Sequence, residues 1–181
     1  MDEKHRLDIH GSRQWVFVRG APDKPLVLFV HGGPGVPLTP LAREFETPFL
    51  DDFLVVHWDQ RGAGKSFENT DFSDGFTVGQ FVDDGLAVTR QILAKYGRSR
   101  AILVGHSWGT VLSTLMVTAS PGLFTSCILV GTCADTGAIE NFRYQEMSTR
   151  LKNDGVGADL QALADMGPPP WDADRTSTWI D

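Results

Sequence analysis

The chain has 181 residues, of which 41% are hydrophobic and 22% charged, a composition that is ordinary for one globular domain. Its formal net charge of −7 opposes binding to nucleic-acid phosphates and to anionic membrane surfaces. The first residues lack the apolar core of a secretory signal, and no later run approaches the roughly 20 apolar residues of a membrane span. We therefore expect a cytoplasmic protein with no nucleic-acid or membrane partner.

The apolar residues predict strands that alternate with helices. An amino-terminal hairpin is expected from Leu7 to His10 and from Trp15 to Arg19, with its turn at Gly11-Ser12. Continuous apolar runs predict four buried strands, which are Leu26 to Val30, Phe53 to Trp58, Ala101 to Val104 and Cys127 to Val130.

Capping residues place the helices between these strands. Thr39, followed by proline, predicts the cap of a helix that runs to Phe45. The best predicted helix runs from Thr77 to Tyr96, where Thr77 and Gln80 form a capping box, and another runs from Thr110 to Ala119. Such alternation implies a mostly parallel sheet that is covered by helices.

The alternation stops beyond Asp135. Two amphipathic helices are predicted, from Ile139 to Leu151 and from Leu160 to Met166, with no strand between them. We therefore predict two parts, a sheet-containing core in residues 1–133 and the beginning of a helical cap in residues 134–181.

The main candidate for chemistry is Ser107. Residues 105–109 read Gly-His-Ser-Trp-Gly and lie between a predicted strand and a predicted helix, which is the context that a nucleophile elbow requires. The two glycines let the strand and helix approach closely, so that Ser107 is exposed at a strained turn. The amino terminus of the helix favours negative charge that develops there. The alternative is a chance Gly-Ser turn, which the flanking elements disfavour.

A glycine-rich loop supplies candidate donors for an oxyanion hole. Residues 31–35 read His-Gly-Gly-Pro-Gly and follow the predicted strand at Leu26 to Val30. Glycines let the main chain come within hydrogen-bond distance of a carbonyl oxygen. The backbone N–H of Gly33 is the first choice and that of Gly32 the second, with the N–H of Trp108 as the other donor. His31 is expected to hold the loop by hydrogen bonds.

A second polar loop, residues 59–66, contains Gly-Lys-Ser and superficially resembles a phosphate-binding loop. The spacing contradicts that interpretation, since no glycine stands five positions before Gly64, where such a loop begins. Asp59 and Arg61 are expected to pair with each other or with backbone, and so to shape the rim of the site.

Together, the motifs His-Gly-Gly-Pro-Gly, Trp-Asp-Gln-Arg-Gly-x-Gly-x-Ser and Gly-x-Ser-Trp-Gly resemble those of the proline iminopeptidase group of α/β-hydrolases. The resemblance covers Leu26 to about Thr132 and implies the α/β-hydrolase fold, with helices on both faces of the sheet. It implies a serine hydrolase that removes amino-terminal residues, often proline, from short peptides, or hydrolyses related small amides and esters. Carried over by position, Ser107 is the nucleophile and the N–H groups of Gly33 and Trp108 form the oxyanion hole. No metal or organic cofactor is implied.

Two departures qualify what the resemblance implies about substrate. His106 stands where iminopeptidases of this group usually have glycine, and histidine at that position is common among general esterases of the fold. A general esterase therefore stays open as an alternative. The glutamates that grip the substrate's amine in the family lie in the later part of the cap, past Asp181.

The rest of a catalytic triad is not found in the sequence. The acid and the histidine follow the nucleophile in this fold, whereas all five histidines here precede Ser107. His31 and His57 end strands beside the elbow and stay open as bases. Asp135 follows a predicted strand at a position where some α/β-hydrolases carry the acid, and a helix-capping aspartate is the alternative.

The predicted sheet is incomplete at its carboxyl end, because the strand at Cys127 to Val130 forms an edge. An uncovered apolar edge needs a complementing carboxyl-terminal segment or a second copy of the chain. We expect the 181-residue chain alone to be inactive. The alternative is a truncated, non-catalytic remnant that acts as a binding module.

Overall fold

The structure, a computed structural model, describes residues 1–73 and 75–170. The chain divides into two compact units, Met1–Thr132 and the residues from Cys133 onward. That the second unit begins a cap over the site stays a prediction, and residues 171–181 of the predicted cap lie outside the described residues.

The first unit is built on a six-stranded sheet with the strand order β1-β2-β4-β3-β5-β6. The strands are β1 (Asp2–Ile9), β2 (Ser12–Gly20), β3 (Leu26–Val30), β4 (Leu54–Asp59), β5 (Ala101–His106) and β6 (Phe124–Val130). β1 and β2 form an antiparallel hairpin, and β2 joins β4 antiparallel. β4, β3, β5 and β6 run parallel. The predicted mostly parallel sheet is confirmed.

Helices lie on both faces of this sheet. They are α1 (Thr39–Phe45), α2 (Val78–Lys95) and α3 (Trp108–Ala119), with short 3-10 segments at Thr47–Phe49, Gly64–Asn69 and Pro121–Leu123. α2 and α3 bury the face that carries Leu28, Trp58 and Leu103, which is the main core. Because side chains alternate along a strand, Phe29 and His57 point to the opposite face, where α1 lies.

The amino-terminal hairpin turns one residue earlier than predicted. His10 and Gly11 both have positive φ, 46° and 78°, which is the conformation of the tight turn that matches the twist of two strands. Ser12 already belongs to β2 and is buried. β1 also begins well before Leu7, because its polar residues alternate outward along an antiparallel partner.

One of the two predicted helix caps is wrong and the other is confirmed. Leu38 precedes α1 without a side-chain cap, and Thr39 instead donates its hydroxyl to Asp59 Oδ1 at 3.0 Å. The Thr39 hydroxyl therefore bonds to a residue that is distant in sequence and does not cap α1. Thr77 does cap α2, since its Oγ1 accepts from the N–H of Gln80 at 3.1 Å.

The second unit contains the two predicted helices, α4 (Thr136–Asp154) and α5 (Gly157–Met166), both longer than expected. Gly155, with φ of 70°, ends α4 in the left-handed conformation. Asp135 begins the same helix, and its Oδ1 accepts from the N–H of Ala138 at 2.9 Å. The helix-capping interpretation of Asp135 is thereby confirmed. Within residues 1–73 and 75–170, no helix is both long and apolar enough to cross a membrane.

β6 is the last strand of the described sheet, as predicted for an edge. Ile128 is 50% exposed and Val130 is 48% exposed. An apolar hollow of about 270 Å³ lies on the sheet face that α1 borders, lined by Val27, Phe29, Phe49, Phe53, Val55, Ile102, Val104 and Ile128. This part of the first unit therefore presents apolar surface both at its edge and on one face.

Candidate active site

Ser107 lies at a sharp turn between β5 and α3. Its φ and ψ are 52° and −121°, a conformation that residues other than glycine rarely adopt. A Cβ on Gly105 would lie 2.5 Å from the carbonyl oxygen of Gly109, and a Cβ on Gly109 would collide with the carbonyl oxygen of Val30. Only glycine fits at either position. Because Ser107 lies between the end of β5 and the start of α3, the predicted strand-turn-helix context is confirmed.

The backbone of Ser107 is anchored on both sides of the turn. Its N–H donates to the carbonyl oxygen of Val130 at 2.9 Å, at the end of β6. Its carbonyl oxygen accepts from the N–H of Thr110 at 2.8 Å and from the Thr110 hydroxyl at 2.6 Å. The strained conformation is therefore held by the neighbouring strand and by the first turn of α3.

The glycine-rich loop after β3 lies directly against this turn. A Cβ on Gly32 would lie 3.0 Å from Ser107 Cβ and 3.2 Å from His106 Nδ1, so the loop can approach the serine because Gly32 has no side chain. Gly33 has a φ of 114°, and a Cβ there would lie 2.6 Å from the N atom of Gly35. A side chain at Gly32 would therefore crowd Ser107, and the choice of Gly33 as oxyanion donor stays a prediction.

His31 holds this loop, as expected. The ring is buried, and its Nε2 lies 3.1 Å from the backbone N–H of Gln60, which can only donate. Nε2 is therefore the unprotonated nitrogen, and Nδ1–H donates to the carbonyl oxygen of Gly32 at 2.9 Å. Burial lowers the pKa of His31, which favours this neutral form. Both ring nitrogens are engaged by the loop and by the residue after β4.

Gln60 joins the glycine-rich loop to the turn at Ser107, a role that the sequence analysis missed. Its side chain is buried, with Nε2 donating to the carbonyl oxygen of His31 at 2.9 Å. Its Oε1 accepts from the indole N–H of Trp108 at 3.3 Å. The Trp108 ring in turn packs edge-to-face on Phe81, with centroids 6.0 Å apart. The only available signal was the position of a polar residue directly after a buried strand.

The predicted pairing of Asp59 with Arg61 is wrong. Arg61 forms a two-pronged ion pair with Asp84 of α2, with Nε to Oδ2 at 2.8 Å and Nη2 to Oδ1 at 2.9 Å. Asp59 instead accepts from the backbone N–H of Lys65 at 2.9 Å, which is the backbone alternative. Asp59 therefore shapes its own loop, whereas Arg61 ties that loop to α2.

Asp84 is the centre of a buried polar network that sequence reasoning missed. Besides Arg61, its carboxylate accepts from Gln14 Nε2 at 2.7 Å and from His10 Nδ1 at 3.0 Å. Gln14 also accepts from the indole N–H of Trp58 at 2.7 Å. The signal was an aspartate on the apolar stripe of α2, where it needs charged or polar partners.

His57, which stayed open as a base, lies within β4 in a second buried network. Its Nε2 is 2.7 Å from Glu46 Oε2, and its ring stacks on Phe29. Arg19 also forms an ion pair with Glu46. Burial raises the pKa of Glu46, but the hydrogen bonds from His57 and Arg19 outweigh burial and leave that pKa below its usual value. These contacts hold the His57 side chain against Glu46 and Phe29.

Comparison with known proteins defines the class of protein that carries this site. Residues 25–154 match the family model described as the alpha/beta hydrolase fold. The chain therefore belongs to the α/β-hydrolase fold family, and the fold predicted from its three motifs is confirmed.

Curated relatives bear names from one group of this family. A protein named probable aminopeptidase from Bacillus subtilis is 31% identical over 169 residues, covering 93% of this chain and 53% of the relative. A proline iminopeptidase from Xylella fastidiosa is 29% identical over 163 residues, covering 90% of this chain and 48% of the relative. The chain thus spans about half the length of these relatives.

Solved structures support the same fold. A proline iminopeptidase-related protein from Thermus thermophilus superposes with a TM-score of 0.59 at 27% identity, over 71% of this chain and 44% of that protein. An epoxide hydrolase from Vigna radiata superposes with a TM-score of 0.56 at 21% identity, over 71% of this chain and 39% of that protein. The second likeness concerns the fold alone.

Proposed function

We propose that Ser107 is the nucleophile of a serine hydrolase that acts on small amides or esters, and that the whole protein is an aminopeptidase that releases amino-terminal proline. The observation that carries the proposal is the strained turn at Ser107, beside a glycine-rich loop so close that a Cβ on Gly32 would lie 3.0 Å from Ser107 Cβ. Strain of this kind is costly and is typical of functional sites. The names of the relatives support the choice of substrate class.

The proposed mechanism uses the serine and backbone N–H groups of the turn and of the glycine-rich loop. Ser107 Oγ attacks the substrate carbonyl carbon and loses its proton to a base, while negative charge develops on the carbonyl oxygen. The backbone N–H of Trp108 and that of Gly33, or of Gly32 as second choice, stabilise this oxyanion. Trp108 is the first residue of α3, so the positive end of the helix dipole assists.

The base is proposed to come from outside the described residues. His31 is unsuited, because Gln60 and Gly32 engage both of its ring nitrogens. His57 is held on Glu46 in the interior of β4. A complementing carboxyl-terminal segment, or a second copy of the chain, would supply the histidine. Asp135 remains a secondary proposal for the acid, beside its observed role as a helix cap.

The test compares the 181-residue chain with the natural protein in full length. Both are incubated with a fluorophosphonate probe, p-nitrophenyl acetate and proline p-nitroanilide. We expect labelling at Ser107 and proline release in the full protein, with the chain alone slower by several orders of magnitude. Loss of a triad member leaves only about 10³- to 10⁴-fold acceleration over water.

Two serine variants make the test specific. Ser107→Ala should abolish labelling, whereas Ser113→Ala is the matched control, since Ser113 lies on α3, which begins directly after Ser107, and its hydroxyl is buried. Hydrolysis of the ester without proline release would favour a general esterase. A full-length protein that the probe does not label would favour the non-catalytic binding module.

A further inference from the structure

We propose that Gln60 is a positioning residue that sets the spacing between the glycine-rich loop and the nucleophile turn, and thereby aligns the two halves of the oxyanion hole. This inference rests on the proposed function of Ser107. The side chain of Gln60 spans from His31, next to Gly32, to Trp108, next to Ser107.

The two ends of the Gln60 amide are chemically distinct, and each has a matching partner. The carbonyl oxygen of His31 can only accept, so it requires the NH₂ group, and the indole N–H of Trp108 can only donate, so it requires the amide oxygen. Glutamate would place a carboxylate oxygen against the His31 carbonyl oxygen. Methionine has a similar length but would leave both partners without a hydrogen bond. Glutamine is therefore the side chain that satisfies both ends.

The backbone of Gln60 makes a second connection to the same loop. Its N–H donates to His31 Nε2 at 3.1 Å, and His31 Nδ1–H donates to the carbonyl oxygen of Gly32 at 2.9 Å. Gln60 is therefore joined to His31 of the loop by two hydrogen bonds and to Trp108 by one. Because Gln60 is only 1% exposed, water does not compete for these hydrogen bonds.

The positioning has a catalytic consequence because oxyanion stabilisation depends on fixed donors. The proposed donors lie on different segments, one on the loop and one at Trp108, so their separation depends on whatever joins the segments. A misplacement of about 1 Å can cost roughly 100-fold in rate. In the proposed role, Gln60 touches neither substrate nor the reacting serine. It acts through the loop and through Trp108.

The experiment measures the rate constant and the saturation constant of fluorophosphonate labelling at Ser107 in the full-length protein. Gln60→Met and Gln60→Glu should lower the rate constant about 10- to 100-fold, with little change in the saturation constant. Gln14→Met is the matched control, because Gln14 is also a buried glutamine that accepts from an indole N–H, that of Trp58. It should label at the wild-type rate per folded molecule.

A second readout does not depend on activity. In ¹⁵N-labelled protein, Gln60→Met should shift the Trp108 indole resonance and the Gly32 amide resonance, with Trp108→Phe used to assign the former. Gln14→Met should leave both in place. Trp108→Phe should also weaken the effect of Gln60→Met on labelling, since the two changes remove the same hydrogen bond.

The outcomes separate the two proposals. Wild-type labelling rates in Gln60→Met, or an equal loss in Gln14→Met, would overturn the positioning role. If the wild-type full-length protein is not labelled at all, the proposed function fails, and the resonances then decide the role of Gln60. Unshifted Trp108 and Gly32 resonances in Gln60→Met would reject it.

Discussion

At the scale of single residues, the site depends on side chains whose chemistry is fixed by one or two contacts. His31 illustrates this, because its neutral tautomer is required by the N–H of Gln60 on one side and the carbonyl oxygen of Gly32 on the other. Protonation would place Nε2–H against another N–H group. The loop is therefore compatible with only one charge state of the histidine.

This requirement predicts a pH dependence of stability. The pKa of folded His31 is below its ordinary value of 6.5, so as pH falls below 6.5 the unfolded chain takes up a proton before the folded chain does. The contribution of His31 to the free energy of unfolding should therefore be fully present above pH 6.5 and should decrease as pH falls toward 5. Urea denaturation at several pH values measures it.

The control for that prediction is His31→Asn, which has no titrating ring. It should be less stable at pH 7.5 but should lose less stability between pH 7.5 and pH 5 than the wild type does. The window stays above 4.5, the ordinary pKa of the Glu46 carboxyl, so that protonation of Glu46 contributes little. Equal losses in the variant and the wild type would contradict the assignment to His31.

At the scale of elements, the close approach of α3 to the sheet and to α2 requires glycines at the points of contact. Gly109 lies so near the carbonyl oxygen of Val30 that no Cβ fits, and a Cβ on Gly85 of α2 would lie 2.7 Å from Met116 Sδ. The first obstacle is backbone, which cannot rotate away, whereas the second is a flexible side chain. The two glycines should therefore differ in their tolerance of alanine.

Gly109→Ala should destabilise the chain by about 3 kcal/mol, at the upper end for an overpacked core, because α3 must shift from β3. The matched control is Gly79→Ala in α2, where the nearest atom to a new Cβ is 3.9 Å away. That change should raise the free energy of unfolding by up to about 1 kcal/mol, because alanine has a higher helix propensity than glycine. Chemical denaturation measures both. A neutral Gly109→Ala would mean that α3 is not held as closely as the structure shows.

The elements also show what the sequence could and could not predict. The turn at Ser107 was predictable because two glycines, a buried strand and a helix are adjacent in the chain. The partner of Thr39 was not, because local rules assign its hydroxyl to the helix end whereas Asp59, 20 residues away, takes it. Arg61 was misassigned for the same reason, since Asp84 is 23 residues further on. Motifs were thus predicted and their long-range hydrogen bonds were not.

At the scale of the whole first unit, the network around Asp84 joins parts that are distant in sequence. His10 in the hairpin turn, Gln14 in β2 and Arg61 after β4 all donate to this one carboxylate on α2. The carboxylate is fully buried and satisfied at both oxygens. The network therefore ties the hairpin to α2 through His10 and Gln14, and separately ties the loop after β4 to α2 through Arg61.

Asp84→Ala should cost about 3 to 5 kcal/mol of unfolding free energy, because it leaves the buried Arg61 guanidinium without a counter-charge. The double variant Asp84→Leu/Arg61→Leu should recover much of that loss, since it removes both charges. Arg150→Ala is the control, because its ion pair with Glu146 is exposed and should contribute under about 1 kcal/mol. If Asp84→Ala costs no more than this control, the network does not stabilise the unit.

The bond from Ser107 N–H to the Val130 carbonyl oxygen places one anchor of the turn at Ser107 on the outermost described strand. β6 is paired on one side by β5, and its residues at the edge are largely exposed. A strand held on one side bends and frays more easily than one held on both. A further strand laid along β6, whatever its source, would stiffen Val130 and with it the turn at Ser107. Pairing of that strand with β6 would then complete the sheet and rigidify the turn at Ser107 in the same step.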